Sequence, residues 1–563
     1  MPSVKPGIDR WRPTLSVEVL ILLAALAFAA GYNGALWKLL FGGLDLTEPR
    51  KLALLAALFL IVTCVQFAGL SLLLTRRTVK PVLALLFLCT ALASYFMDRY
   101  TVFLNTEMLR NILRTDPAEA GELLTGSLIP HLLFYAAVPI ALLLWTRVLV
   151  RPLGRSILIR SGAVAAALLV AGLALFLQFR DAASLLRNHR EARHLVTPTN
   201  YLSALFKITR DAVSSPPGGS TPIALDAHRL PTASPGRKPV LLVLAIGETA
   251  RSANFGLSGY ARQTTPELSQ LDLLVYPRVQ ACGTSTEVSL PCMFAPIGRR
   301  DYDEKRIRHE ESLLHVLNRV GIEVLWIDNQ SGCKGVCAGL AQERIRGDAD
   351  PAFCDGERCL DGILLSRLSA AMQASSGDLV VVLHMLGNHG PAYSRRYPAE
   401  FRKFVPTCES LELGDCSQAE IVNAYDNAIL YTDHVLASII RYLEAQSGRD
   451  AGLIYVSDHG ESLGESGLYL HGLPYRIAPA VQREVPMLVW LSAGLTKSAG
   501  LNRDCLQQEA AGDVSHDHLF HSVLGLLDVR SVVREPSLDL FSPCRGDDSA
   551  PLLAQVPFEG AAS

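Results

Sequence analysis

The chain holds 563 residues, 50% of them hydrophobic and 19% charged, with 52 Lys and Arg against 54 Asp and Glu for a formal net charge of −2. Such a length exceeds one ordinary domain. The balanced charge gives no basic excess to hold a polyanion, so nucleic acid is excluded from the expected partners.

Apolar runs concentrate toward the N-terminus, and residues 1–180 read as a membrane domain. Crossing a bilayer core takes about 20 helical residues. Five stretches approach that length: Leu15–Leu40, Lys51–Leu74, Pro81–Phe96, Leu128–Val148 and Ala163–Phe179. Basic residues in the short loops set the orientation. Lys5, Arg10 and Arg12 precede the first span; Arg76, Arg77 and Lys80 separate the second from the third; Arg147, Arg151, Arg155 and Arg160 separate the fourth from the fifth. The alternate loops, Asp45–Lys51 and Asp98–Gly126, are less basic for their length and carry acids. The N-terminus is therefore expected in the cytoplasm, with everything after Phe179 on the opposite side. The alternative is a signal peptide from Met1 to about Ala30, cleaved at the small-x-small run Ala27-Phe28-Ala29. The apolar run continues past that point, which favours a span, and either way the large domain ends outside.

Within Asp98–Gly126, Asn111, Thr115 and Glu119 recur at i, i+4 and i+8, a spacing that aligns them on one side of a helix. On composition that stripe reads as the solvated face of an interfacial helix. Residues 181–236 form a bridge that begins with a charged helix and ends in Ser214-Ser215-Pro216-Pro217-Gly218-Gly219-Ser220, a linker. The soluble domain is placed over 237–563.

From there short apolar runs alternate with helical patterns. Val240–Ile246, Glu323–Ile327, Leu379–His384, Leu453–Val456 and Met487–Leu491 read as strands, and Ser312–Val320, Glu420–Leu443 and His516–Leu527 as helices. That alternation predicts an α/β fold, a mostly parallel sheet with helices on both faces. Ligands of such sheets collect outside the carboxyl ends of the strands. Glu248, Asp328, His389 and Asp458 all follow strands and can converge at that edge.

Cys64 and Cys89 fall in membrane spans and read as apolar packing residues. The other ten fall into sequential pairs: Cys282 with Cys292, Cys333 with Cys337, Cys354 with Cys359, Cys408 with Cys416, and the more distant Cys505 with Cys544. An even count on the outer side predicts disulfides in an oxidising compartment. The pairs lack the repeated C-x2-C of a zinc ribbon.

Three residues at strand ends carry metal-ligating chemistry. Zinc takes carboxylate oxygen and imidazole nitrogen in tetrahedral sets with one open position at catalytic sites. Glu248, Asp458 and His459 supply three ligands and leave the fourth for a hydroxyl, which a metal favours as an alkoxide. Cys282-Gly283-Thr284-Ser285-Thr286 offers three hydroxyls; Thr286 would begin a helix whose N–H groups hold phosphate oxygens, and Thr284 and Ser285 remain rivals. His389 and His471 lie in glycine-framed turns suited to phosphate, acid–base chemistry or a second metal. Lys334 provides a fixed charge and Ser331 a hydrogen bond. His309, His315, His434, His516, His518 and His521 lack such framing and read as surface or structural residues.

The ordered set Gly247-Glu248-Thr249-Ala250-Arg251, Cys282-Gly283-Thr284-Ser285-Thr286 through Pro291-Cys292, Ser331-Gly332-Cys333-Lys334-Gly335, Gly387-Asn388-His389-Gly390-Pro391 and Ser457-Asp458-His459-Gly460-Glu461 resembles the bacterial phosphoethanolamine transferases. These are inner-membrane enzymes of the alkaline phosphatase/sulfatase superfamily that modify lipid A. The resemblance implies five spans and a periplasmic alkaline-phosphatase-like domain, with Thr286 as the nucleophile that becomes phosphoethanolaminated. It implies one tightly bound zinc on Glu248, Thr286, Asp458 and His459, with a second allowed during turnover. His389 and His471 match the substrate or second-metal histidines. Asn111, Thr115, Glu119, Ser331 and Lys334 match the lipid head-group positions, which replaces the solvated-face reading of the 111–119 stripe.

The resemblance further implies phosphatidylethanolamine as donor, lipid A as acceptor, contact with membrane lipids, a monomeric protein and lowered susceptibility to polymyxin and cationic peptides. A lipopolysaccharide core sugar or a periplasmic glucan is the alternative acceptor. Glu287 and Val288 follow the nucleophile where several relatives carry smaller or aromatic residues.

Overall fold

The computed structural model describes residues 12–42, 47–115, 117–214, 220–229 and 237–546. The chain divides into two compact units: residues 1–115, 119–215 and 466–477 in the first, and 116–118, 216–465 and 478–563 in the second.

In the first unit, among the described residues, four helices are long and apolar enough to cross a membrane: Pro49–Leu73, Val79–Tyr100, Leu128–Trp145 and Leu153–Leu177. Val17–Gly31 and Gly34–Phe41 make a fifth span if the pair, bent by 51°, is taken as one. The sequence predicted one continuous helix here, and Asn33 breaks it. Its amide donates to the carbonyls of Phe28 (2.7 Å) and Thr197 (3.0 Å), and its Oδ1 accepts from the Thr197 N–H (2.9 Å). An Asn that bonds backbone this way competes with the helix ladder. Phe28 and Phe87 lie 4.9 Å apart in the core behind the bend, with Tyr32 beside both.

The last span begins at Leu153, not Ala163, because Arg155 and Arg160 ride on its first turns after Pro152. Charge hides such a start from an apolar-run reading. The bridge holds helices Phe179–Asn188 and Thr199–Ser214. Residues 215–219 of the expected linker lie outside the described residues.

The 111–119 stripe needs correction. Asn111 lies in helix Thr106–Arg114, Thr115 is that helix's C-cap with extended backbone (φ −61°, ψ 132°), and Glu119 belongs to a second helix, Pro117–Glu122. Pro117 cannot donate to the preceding turn and disfavours helical backbone at the residue before it, so the i, i+4, i+8 alignment is not realised.

The second unit is built on an eight-stranded sheet. Its strands are β1 (Val240–Gly247), β2 (Leu274–Gln280), β3 (Glu323–Asp328), β4 (Ala341–Arg344), β5 (Leu379–His384), β6 (Asp450–Ser457), β7 (Glu484–Leu491) and β8 (Val514–Ser515), in the order β8-β2-β7-β6-β1-β5-β3-β4. All neighbours pair parallel except those of β7, which runs antiparallel to β2 and β6. Every residue of β1, β5 and β6 is buried, as expected of strands covered on both faces.

Helices Leu313–Arg319, Gln418–Glu444 and Asp517–Leu526 stand where the sequence predicted them. Ser417 and Glu420 close a capping box on the long one. Fully buried side chains such as Phe294, Trp326 and Phe520 fill the core against the sheet, each contributing about 1.5–3 kcal/mol.

The five expected disulfides are all present. Cys282 is bridged to Cys292, Cys333 to Cys337, Cys354 to Cys359, and Cys408 to Cys416. Cys505 is bridged to Cys544, 39 residues away, and this longest loop removes the most entropy from the unfolded chain. The four shorter loops remove less, and they fix local loop shape instead. Cys64 and Cys89 remain free, as expected of residues in the spans.

Candidate active site

The parallel register sets the carboxyl ends of β1 and β6 side by side, with Gly247 opposite Ser457. Each strand then turns sharply and delivers a carboxylate, Glu248 from β1 and Asp458 from β6. The two turns are laced together. The Thr249 N–H donates to Asp458 Oδ1 (3.2 Å), the Ala250 N–H to Ser457 Oγ (2.8 Å), and the Tyr425 hydroxyl to the Thr249 carbonyl (2.6 Å). Thr249 sits at φ +55°, in the left-handed region that β-branched residues rarely adopt. These bonds hold it there, and strain of that kind clusters at functional sites.

Thr286 is the first residue of helix Thr286–Met293, after Ser285 in extended backbone. Its Oγ1 lies 3.1 Å from both Glu248 oxygens and 3.4 Å from His459 Nε2. His459 Nε2 in turn lies 3.3 Å from Glu248 Oε1 and 3.4 Å from Asp458 Oδ2. Glu248, Asp458 and His459 are wholly buried, and Thr286 is 5% exposed. Of the three rival hydroxyls, Thr286 is hydrogen-bonded to Glu248.

Burial and the nearby Glu248 charge push the Asp458 carboxyl above the usual carboxylate range. Burial works against a charged His459, yet the Asp458 and Glu248 carboxylates hold its ring above the usual imidazole range. One imidazolium is poor compensation for two buried carboxylates. Among the described residues Asp458 Oδ2 accepts no hydrogen bond, with His459 Nε2 standing off at 3.4 Å. Ligand atoms of Glu248, Asp458 and His459 all fall within 4.8 Å of one another, a group suited to a metal ion. The donor set of two carboxylates, an imidazole and a hydroxyl fits zinc, and the orphaned oxygen of Asp458 gives such an ion a ligand.

The other predicted residues are placed as follows. The His389 loop is anchored beside Glu248 by the Asn388 N–H, which donates to the Glu248 carbonyl (3.0 Å), and by Asp361, which accepts from the N–H groups of Leu386 and Gly387 (2.8 Å each). His389 is 5% exposed, and its carbonyl accepts from Arg396 Nε (2.7 Å). Lys334 Nζ donates to Ser331 Oγ (2.7 Å), inside a loop held by Asp328, whose Oδ1 accepts from the N–H groups of Gln330 and Gly332. Asp328 itself pairs with buried His384 at 2.9 Å, so it serves the sheet edge as an anchor. His471 lies in the 466–477 segment and, like Asn111 and Thr115, belongs to the first unit. Glu287 pairs with Arg308 at 2.8 Å.

His516, read from the sequence as a surface or structural residue, is structural, at 2% exposed. Its Nδ1 accepts from the Cys282 N–H (3.1 Å) and faces Ser289 Oγ (3.3 Å), while its Nε2 donates to the Ser457 carbonyl (2.9 Å). Ser289 Oγ also donates to the Asp458 carbonyl. This imidazole therefore joins the Thr286 turn to the Asp458 turn. No sequence signal marked it, because its partners lie far away in the chain.

Comparison with known proteins bears on the chemistry. Residues 62–213 match the family described as phosphoethanolamine transferase EptA/EptB, and residues 241–529 match the sulfatase family. The chain is 36% identical over 544 residues to phosphoethanolamine transferase EptA of Escherichia coli K12, covering 95% of this chain and 98% of that one. It is 36% identical over 490 residues to the phosphatidylethanolamine transferase Mcr-1 of Escherichia coli, covering 84% and 88%. The solved integral membrane lipooligosaccharide phosphoethanolamine transferase A from Neisseria meningitidis superposes with a TM-score of 0.90 at 34% identity, covering 95% of this chain and all (100%) of that one.

Proposed function

The chain belongs to the phosphoethanolamine transferases of the EptA/EptB family, and from that premise we propose that it moves phosphoethanolamine from phosphatidylethanolamine to a phosphate of lipid A through a phosphorylated Thr286. The observation that carries this reading is the Thr286 hydroxyl, hydrogen-bonded to Glu248 beside the buried pair Asp458 and His459.

In the first step Thr286 Oγ1 attacks the donor phosphorus, the bond to the diacylglycerol oxygen breaks, and the hydroxyl proton ends on diacylglycerol. In the second, a lipid A phosphate oxygen attacks the same phosphorus, the bond from phosphorus to Thr286 Oγ1 breaks, and Oγ1 takes up the proton that the acceptor phosphate gives up. Glu248 orients the hydroxyl, and the start of helix Thr286–Met293 would favour phosphate oxygens beside it. Zinc would be held by Glu248, Thr286, Asp458 and His459; when bound it favours the alkoxide and offsets charge developing on phosphorus.

The seven residues Asn111, Thr115, Glu119, Ser331, Lys334, His389 and His471 are assigned to the substrate by the family resemblance. Lys334 and Ser331 suit phosphate oxygens through charge-assisted bonds. The protein works as a monomer in the inner membrane, with its second unit in the periplasm. The amine it adds offsets acceptor charge, so polymyxin and other cationic peptides bind less.

Mass spectrometry of lipid A from bacteria expressing the protein tests this reading. One added phosphoethanolamine on a lipid A phosphate is expected. Unmodified lipid A beside a modified core sugar or glucan would move the acceptor elsewhere.

A further inference from the structure

Within the first unit, a cleft of about 350 Å³ opens among residues that the phosphoryl-transfer chemistry does not use. The starts of helices Val17–Gly31 and Leu153–Leu177 form part of its wall, and the turn after helix Pro49–Leu73 forms another part. Arg76, Arg77, Arg151 and Arg160 line it, against the single carboxylate of Glu18.

The pairings inside the cleft leave the charge open. Glu18 Oε2 takes Arg151 Nη1 at 3.0 Å and Glu18 Oε1 lies 4.0 Å from Arg160 Nε, while Arg160 Nη1 donates to the Leu74 carbonyl at 2.6 Å. Glu18 thus fixes two guanidinium groups in place and cancels only one charge. Arg76 and Arg77 are exposed and form no ion pair or hydrogen bond among the described residues. Two helix starts add their positive dipole ends to the same cleft.

Leu149, Leu153 and Ile157 also line the cleft, and they are 39%, 77% and 57% exposed. Arginines beside an exposed apolar wall, at the ends of membrane-spanning helices, suit an amphiphile better than a soluble anion. We propose that this cleft binds the phosphate head group of an anionic phospholipid of the phosphatidylglycerol type, its acyl chains lying along Leu153 and Ile157. Basic clefts between membrane helices on the cytoplasmic side hold anionic lipid heads in this way. A zwitterionic head would bring an ammonium into an excess of arginine and is disfavoured.

The test uses the full-length protein, delipidated in detergent and titrated separately with phosphatidylglycerol, phosphatidylethanolamine and inorganic phosphate, with adducts read by native mass spectrometry. Phosphatidylglycerol is expected to bind in preference to phosphatidylethanolamine and to resist displacement by excess inorganic phosphate. The double variant Arg76→Gln/Arg77→Gln should lose about tenfold or more of that occupancy. Arg155→Gln, exposed and outside the cleft, should keep it. Thermal unfolding in the same detergent checks the fold, and Arg77→Gln alone replaces the double variant if that one unfolds. Equal occupancy in wild type and variant, equal binding of phosphatidylethanolamine, or displacement by inorganic phosphate would each overturn the proposal.

Discussion

The hydroxyl of Thr286 sits 3.1 Å from each carboxylate oxygen of Glu248. β1 supplies the acid and the start of a separate helix supplies the hydroxyl, so the contact joins two elements that the sequence keeps 38 residues apart.

The first prediction follows directly. Thr286→Ala removes the proposed nucleophile and should abolish transfer while the protein still folds, since the lost side chain is small. Thr286→Ser keeps a hydroxyl and should retain part of the activity. Full transfer by the alanine variant, with Thr284 or Ser285 modified in its place, would show that a neighbouring hydroxyl acts.

A second prediction concerns the metal. Removing a charged ligand leaves a buried cation under-neutralised and should weaken binding by on the order of 3–5 kcal/mol. Elemental analysis of purified protein should therefore find zinc in the wild type and little in Glu248→Ala or Asp458→Ala. Unchanged metal content in both variants would rule out this site.

His516 joins the Thr286 turn to the Asp458 turn from a buried position. His516→Ala leaves the Cys282 N–H and Ser457 carbonyl without their partner, at about 1–3 kcal/mol for each buried group. The Thr286 and Asp458 turns should loosen, and kcat should fall about tenfold or more with little change in KM. His516→Gln can restore part of the pairing and should recover part of kcat. An alanine variant with wild-type kcat would reduce His516 to packing.

Acid should destabilise the second unit through His521. Its Nδ1 accepts from the Glu535 N–H (3.0 Å) and its Nε2 donates to the Pro296 carbonyl (3.2 Å), bonds that require a neutral ring. Burial lowers its pKa from 6.5 to about 4. The unfolded chain takes up a proton near 6.5 that the folded chain refuses until about 4, so this stability is complete above 6.5 and drains as pH falls through that window. The full effect is up to about 3 kcal/mol. The thermal midpoint should fall less steeply across this range in His521→Gln than in the wild type; equal slopes would remove His521 from the account.

Much of this architecture was legible because its signals are local. Apolar runs announce the membrane helices, and the strand-ending motifs around Glu248 and Asp458 announce the sheet edge. Close spacing in the chain likewise announced the disulfides of Cys337, Cys359 and Cys416 with the cysteines just before them. What stayed hidden depends on distant partners, or on charge and proline that break a local pattern. Asn33 bends the first span through bonds to Thr197, and Arg155 and Arg160 disguise the start of the last. Pro117 splits the helix on which Asn111, Thr115 and Glu119 seemed aligned. β2 carries Pro277 inside a short alternating run, and the antiparallel direction of β7 leaves no mark in its composition. His516 was invisible for the same reason, since nothing in its neighbours reveals that it reaches Cys282 and Ser457.

The most direct test of the central claim is peptide mass spectrometry of the full-length protein after incubation with phosphatidylethanolamine in the absence of acceptor. The account predicts a phosphoethanolamine adduct on Thr286 that disappears when lipid A is added. An adduct on another residue, or transfer to lipid A with Thr286 never modified, would contradict it.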